Sequence, residues 1–226
     1  MQSIKERAIA DGTFMKAPNG NPTNLNERQW LQVRTKNFIN WFGDWINNPS
    51  EASKVVDENG EPLIVYHESP NIFNVFDVSK KRYNVHEVNG IWASPVNRNG
   101  KGYGENIYPL FINLREPIRT SVEQVTNIIE LRTLENKALK DNNSDGVILN
   151  TIDKFGYETQ YYVKNPNQVK SATNNIGTFS TTNDDIRYSS VTELPSIPAF
   201  AERLPVAQQA KFGSLVTSAE ISTSCR

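Results

Sequence analysis

Cysteine is almost missing from this 226-residue chain: Cys225 stands alone, next to the C-terminus. One thiol builds neither an internal disulfide framework nor a cysteine-ligated metal site. Histidine is nearly as scarce, and His67 and His86 lie too far apart for metal-ligand spacing. An excess of one charge is missing as well, because 24 Lys+Arg face 25 Asp+Glu for a formal net charge of -1. That balance excludes a globally basic nucleic-acid binder, although it leaves room for a local patch. No apolar run approaches the roughly 18–20 residues of a membrane span, and the first residues lack the apolar core of a signal peptide. We therefore expect a soluble chain working in a reducing compartment. Nucleophile signatures are absent too. There is no Gly-x-Ser-x-Gly, and Gly100-Lys-Gly-Tyr-Gly104 fits neither the Walker pattern nor the dinucleotide fingerprint.

Asparagine, by contrast, is plentiful, with 27 residues, and the mean hydropathy is -0.55, so turns and loops should be frequent. The length suits one core of about 150 residues with roughly 70 left for extensions. Residues 1–24 read as a lead-in, with turn-forming Lys16-Ala-Pro-Asn-Gly-Asn-Pro22. From Asn26 to Trp45, Trp30, Val33, Phe38, Trp41, Phe42 and Trp45 recur at near-helical steps. They predict a helix with an aromatic face docked on a core, capped by Asn24 or Asn26 and ended by Gly43. Lys54–Asp57 and Pro62–His67 predict a hairpin with Asn59-Gly60 at its tip. Strands are further expected at Gly90–Ser94, Tyr108–Leu114, Gly146–Asn150 and Tyr157–Lys164, and a helix at Ser121–Lys140. Without regular strand–helix alternation, this pattern indicates an α+β fold with a mainly antiparallel sheet. The prolines of Thr192–Pro198 mark a linker to a short amphipathic tail, giving segments 1–24, 25–190 and 191–226.

His67 ends an apolar strand and faces a loop, a place where a site can form, though a structural histidine looks the same in sequence. His86 falls in the polar stretch after Lys80-Lys81-Arg82, which reads as a solvated loop. Unaided motif inspection stops there.

Longer segments carry more. Asn40-Trp-Phe-Gly-Asp-Trp45, Ser53–His67, and Gln168–Gly177 through Asp185-Ile-Arg187 resemble the ADP-ribosyltransferase superfamily. The likeness is to its diphtheria-toxin and poly(ADP-ribose)-polymerase branch, and more narrowly to the ADP-ribosyltransferase-like domains of phage and mobile-element polyvalent proteins. It covers roughly residues 25–190 and implies split, mainly antiparallel sheets around a cleft for nicotinamide adenine dinucleotide (NAD), with a helical N-terminal extension. The resemblance implies three site motifs. His67 matches a strand-terminal His that bonds the nicotinamide-side ribose. The family follows it with Gly, where this chain has Glu68 and then Ser69. Gly90-Ile-Trp-Ala-Ser94 is similar to a Gly-Ile-Tyr-Phe-Ala motif, and Tyr103 stands at the spacing of the Tyr that stacks on nicotinamide, so Trp92 and Tyr103 are expected as aromatic walls. Gln160-Tyr-Tyr-Val-Lys-Asn-Pro-Asn-Gln-Val169 matches the register of a strand that the family begins with Glu.

Gln160 is the consequential departure. Loss of nicotinamide builds positive charge on the ribose carbon, which a carboxylate stabilises and a neutral amide does not. Glu158 shares a strand face with Gln160 by the period of two and is expected to supply that charge or engage the acceptor, the alternative being an exposed edge carboxylate. Arg98, in the loop after the second motif with Ser94 and Asn97, matches no family position; it is expected either to contact phosphate, since a guanidinium forks onto its oxygens, or to be a solvated loop charge.

The expected activity is mono-ADP-ribosyl transfer, a glycosyltransferase reaction with NAD as substrate, through His67, Tyr103, Gln160 and Glu158. His67, Glu68, Ser69, Gly90, Trp92, Ser94, Arg98 and Tyr103 are expected to line the dinucleotide, with no metal. The acceptor is expected to be a macromolecule of a bacterial host, met in its cytoplasm after virion packaging or synthesis there, with no membrane partner. The alternative is a catalytically impaired nucleotide-binding or virion-packaged interaction module of the same fold, motivated by Glu68 and Gln160.

Overall fold

A computed structural model of the chain describes residues 1–79, 90–121, 133, 137, 140–141, 143–153 and 156–187. His86, the Lys80–Arg82 cluster, Cys225 and the segment 191–226 lie outside the described residues, as does most of the helix expected at Ser121–Lys140. Within it, Thr133, Lys137 and Lys140 are helical and exposed.

The chain opens with helices α1 (Gln2–Ala10), α2 (Glu27–Gln32) and α3 (Lys36–Phe42). The aromatic stretch expected as one helix is thus two. Asn26 caps α2 in a capping box with Gln29. Thr35 then starts α3: its hydroxyl accepts from the Phe38 amide at 3.3 Å and donates to the Gln32 carbonyl at 2.7 Å. A side chain that satisfies both a helix end and a helix start stabilises a break there. Gly43, at φ 102°, terminates α3. The break still buries Trp30, Val33, Phe38, Trp41, Phe42 and Trp45. Phe38 sits at the centre, with ring centroids 4.9–5.7 Å from Trp41, Phe42, Phe111 and Phe179. Burial of each such side chain stabilises by about 1.5–3 kcal/mol. Ile4, Ala8, Phe14, Met15 and Leu25 from the first 25 residues pack into the same cluster.

One buried ion pair pins this helical layer to the turn after it. The Glu61 carboxylate, wholly inaccessible, accepts from Arg34 at 2.7 Å and from the Thr23 hydroxyl. Arg34 also donates to the carbonyls of Lys16 and Trp30 and lies 3.7 Å over the Trp30 ring. Burial lowers the Arg34 pKa against the opposing pull of Glu61.

The described residues then form seven strands: β1 (Val65–Ser69), β2 (Ile91–Ala93), β3 (Asn106–Ile112), β4 (Pro117–Ser121), β5 (Gly146–Asp153), β6 (Gly156–Val163) and β7 (Val169–Ser171). They form two sheets, ordered β1-β3-β7 and β2-β6-β5-β4. Pairing is antiparallel except between β4 and β5, whose parallel ladder requires the long connection that joins them. The architecture is α+β with two split, mainly antiparallel sheets. The expected hairpin is reduced to a Val56–Pro62 bridge around a turn in which the Asp57 carboxylate accepts from the amides of Asn59 and Glu61. The strand proper begins only at Val65, so His67 is its middle residue rather than its last.

Alternation along β3 divides two cores: Phe111 joins the helical aromatic cluster, whereas Leu110 and Ile112 enter a second core with Val65, Ile91, Ala93, Ile148, Tyr161 and Val163 from both sheets. A two-bond backbone bridge, Tyr66 N–H to the Ser94 carbonyl at 2.7 Å and the reverse at 3.1 Å, joins β1 to the end of β2. That seam is where the sequence motifs meet.

Candidate functional site

His67 sits beside the seam. Its Nδ1 lies 2.7 Å from the Trp92 carbonyl, which accepts only, so Nδ1 carries the proton and Nε2 is the acceptor of the neutral ring. Phe76, Phe73 and Tyr108 collar the imidazole at centroid distances of 4.9–6.2 Å. Sequence reasoning missed this collar. The Phe pair in Asn71-Ile-Phe-Asn-Val-Phe76 was its only signal, and Tyr108 is brought in by its register opposite His67.

β6 carries the third motif. Tyr161 and Val163 face the inter-sheet core, which leaves Glu158, Gln160 and Tyr162 on the other face. Tyr162 stands opposite Trp92 in register, with the rings 5.1 Å apart. The Tyr162 ring also fills the space where a Gly90 side chain would stand, so Gly90 is needed for packing. Gln160 donates from Nε2 to Glu158 Oε1 at 2.6 Å, so the two residues share a face, as the period of two predicts.

Glu158 is buried, and its second oxygen accepts from Arg98 Nη2. Arg98 donates in turn to the Ser94 hydroxyl at 3.1 Å and lies 5.9 Å from the Tyr103 ring centroid. The Arg98 side chain is only 9% exposed, which rules out a solvated loop charge. A chain of contacts therefore runs Gln160–Glu158–Arg98–Ser94, with Tyr103 alongside, and reaches His67 through the β2 backbone. Tyr103 itself is 41% exposed, an aromatic face open to solvent.

Glu68 reaches into the loop after β2, the loop that carries Arg98 and Tyr103. Its carboxylate accepts from the Gly100 amide at 3.2 Å and the Tyr103 amide at 2.9 Å. Ser69 shapes the exit of β1, its hydroxyl accepting from the Asn71 amide and its carbonyl from the Asn106 side chain. Among the described residues no three His, Cys, Asp or Glu side chains gather into a metal-ligating group, and no helix is long and apolar enough to cross a membrane.

Residues 57–179, more than half of the chain, match the family described as ADP-ribosyltransferase in polyvalent proteins. The chain belongs to that family. No curated protein and no solved structure matches it. The matched stretch contains β1 through β7 and with them His67, Trp92, Tyr103, Glu158 and Gln160. Membership in this ADP-ribosyltransferase family makes a transferase-like function the general expectation, and it fits the split-sheet architecture.

Proposed function

We propose that this ADP-ribosyltransferase-like domain transfers single ADP-ribose units from NAD to a macromolecule of a bacterial host, as a module of a phage or mobile-element protein. The observation that carries this reading is the 2.6 Å hydrogen bond between Gln160 and Glu158. It puts a buried carboxylate beside the position where the family's Glu is replaced, so the missing negative charge stands two residues away on the same strand face. His67, its tautomer fixed by the Trp92 carbonyl, offers Nε2 as an acceptor to a ribose hydroxyl. Tyr103 and Trp92 give aromatic surface to the nicotinamide end. When nicotinamide leaves, the developing charge on the ribose carbon is met by Glu158, with the Gln160 amide orienting the ribose. Arg98 offers donors to the diphosphate at the cost of its pair with Glu158.

That same pair favours a second reading. An Arg98 guanidinium on Glu158 neutralises the charge that catalysis needs, which suits a nucleotide-binding module without turnover.

The two readings separate by incubating the protein and host lysate with labelled NAD beside a His67→Ala/Tyr103→Ala variant. Transfer of label and release of nicotinamide, both lost in the variant, are expected. Absence of both from the wild type sinks the enzyme reading, and binding heat without turnover then selects the second. Gln160→Glu is expected to raise turnover by about 10²–10³-fold, the usual weight of one preorganised electrostatic contact. An unchanged rate would mean that the lack of a carboxylate at 160 is not what limits the site.

A further inference from the structure

Glu68 is a buried acid in the place where the family resemblance leads one to expect glycine, and its carboxylate makes two hydrogen bonds with main-chain amides of the 98–104 loop. Bonds from N–H to an ionised carboxylate are about twice as strong as neutral ones, and a loop with no ladder of its own depends on such partners. The glycines of Gly100-Lys-Gly-Tyr-Gly104, which fit no phosphate-binding pattern, fit this arrangement. A Cβ on Gly102 would overlap the Glu68 carboxylate and come within 2.8 Å of Arg98 Cδ. A Cβ on Gly104 would overlap the backbone of Ser69 and Pro70. The loop is thus pressed onto the end of β1 at successive points, and it carries Arg98 near its start and Tyr103 near its end.

We propose that Glu68 is a positioning residue, a clamp that fixes the 98–104 loop and through it sets Tyr103 and Arg98 for the dinucleotide. The inference rests on the donor-site reading above, but it assigns Glu68 no contact with the ligand. Its effect is on where the aromatic wall and the guanidinium stand before the ligand arrives. A glycine at position 68 would leave both amides to find water, and the loop would sample open forms.

The test uses the full chain with Glu68→Gln, whose amide group cannot accept from both N–H groups, and with Gly102→Ala, which displaces the carboxylate from the loop side and covers the case in which the first variant fails to fold. Lys101 is exposed, and native-state trypsin cleavage after it reports the population of the open loop. Both variants are expected to be cut about tenfold faster than wild type, the weight of one lost hydrogen bond to a charged group, with the unfolding midpoint within a few degrees. The KM for NAD is expected to rise about tenfold in Glu68→Gln by the same argument, with kcat little changed, whereas Gly102→Ala, whose Cβ also presses on Arg98, is read by cleavage alone. Unchanged cleavage and unchanged KM overturn the clamp. Faster cleavage with an unchanged KM overturns its link to donor binding. A wild type that neither binds nor consumes NAD, alongside faster cleavage in the variants, fails the proposed function and with it the positioning role, and is told apart from the other two outcomes by the wild-type binding measurement.

Discussion

Among the described residues two buried Arg–Glu pairs stand out, and they are seated differently. Arg34–Glu61 and Arg98–Glu158 are almost equally hidden, with side-chain exposures of 12% and 0% in the first and 9% and 4% in the second. The first joins the turn between α2 and α3 to the Asp57–Glu61 turn, between the Trp30 and Trp45 rings, with main-chain carbonyls and the Thr23 hydroxyl completing it. The second joins a loop to β6, beside a half-open tyrosine and the side chain of Gln160. Burial alone therefore does not tell which of the two pairs a ligand could open. What distinguishes them is whether the neighbours are fixed carbonyls and indoles or groups that a ligand can displace.

The largest effect expected is on the first pair. Glu61→Gln leaves Arg34 buried without a counter-charge and is expected to cost about 3–5 kcal/mol in urea unfolding. At the second pair, Glu158→Gln is expected to lower turnover by about 10²–10³-fold. Its stability loss should be smaller than that of Glu61→Gln, because the Arg98 side chain lies beside the half-exposed Tyr103 and can swing toward solvent while the loop backbone stays held. Equal stability losses with unaltered turnover would make both pairs structural and erase the contrast. The smallest effect concerns a third buried cation, Lys170, whose ammonium is held by the Asn183 and Asp185 carbonyls. Burial brings its pKa down to about 8, against the opposing pull of Asp184 and Asp185. The folded state then binds fewer protons than the unfolded chain, whose lysine titrates near 10.4, between those two values. Stability should accordingly rise with pH from about 8 to about 10 relative to Lys170→Met, measured by urea unfolding across that range. A flat difference would place the ammonium in water.

Much of this was legible in the sequence where a side-chain period did the work. The aromatic stripe of Trp30 to Trp45 gave the buried face, and strands at Ile91–Ala93, Asn106–Ile112 and Gly146–Asp153 lie near their expected places. That Glu158 and Gln160 share a strand face followed from alternation, once the family resemblance had singled out Gln160, but their hydrogen bond did not. What was not legible depended on contacts between distant segments. The helix break at Thr35 was hidden because its hydroxyl serves two helix ends at once. The three residues of β7 carry no pattern, and β4 begins at a proline, which sequence reading discounts except at an edge. Arg98 could not be told from a solvated charge until Glu158, 60 positions away, was placed against it. Glu68 looked like an intrusion into a ligand site because nothing in its neighbourhood announces the amides of Gly100 and Tyr103.

Phe179 is the last residue of the family match, and its ring packs 4.9 Å from Phe38 and 5.8 Å from Trp41, both far upstream of residue 57 where the match begins. A gene segment cut to the matched stretch alone would carry this plug without its socket. The folding unit is accordingly larger than the stretch that similarity detects: a fragment beginning at residue 57 would leave Phe111 and Phe179 without the Phe38 and Trp41 rings that cover them.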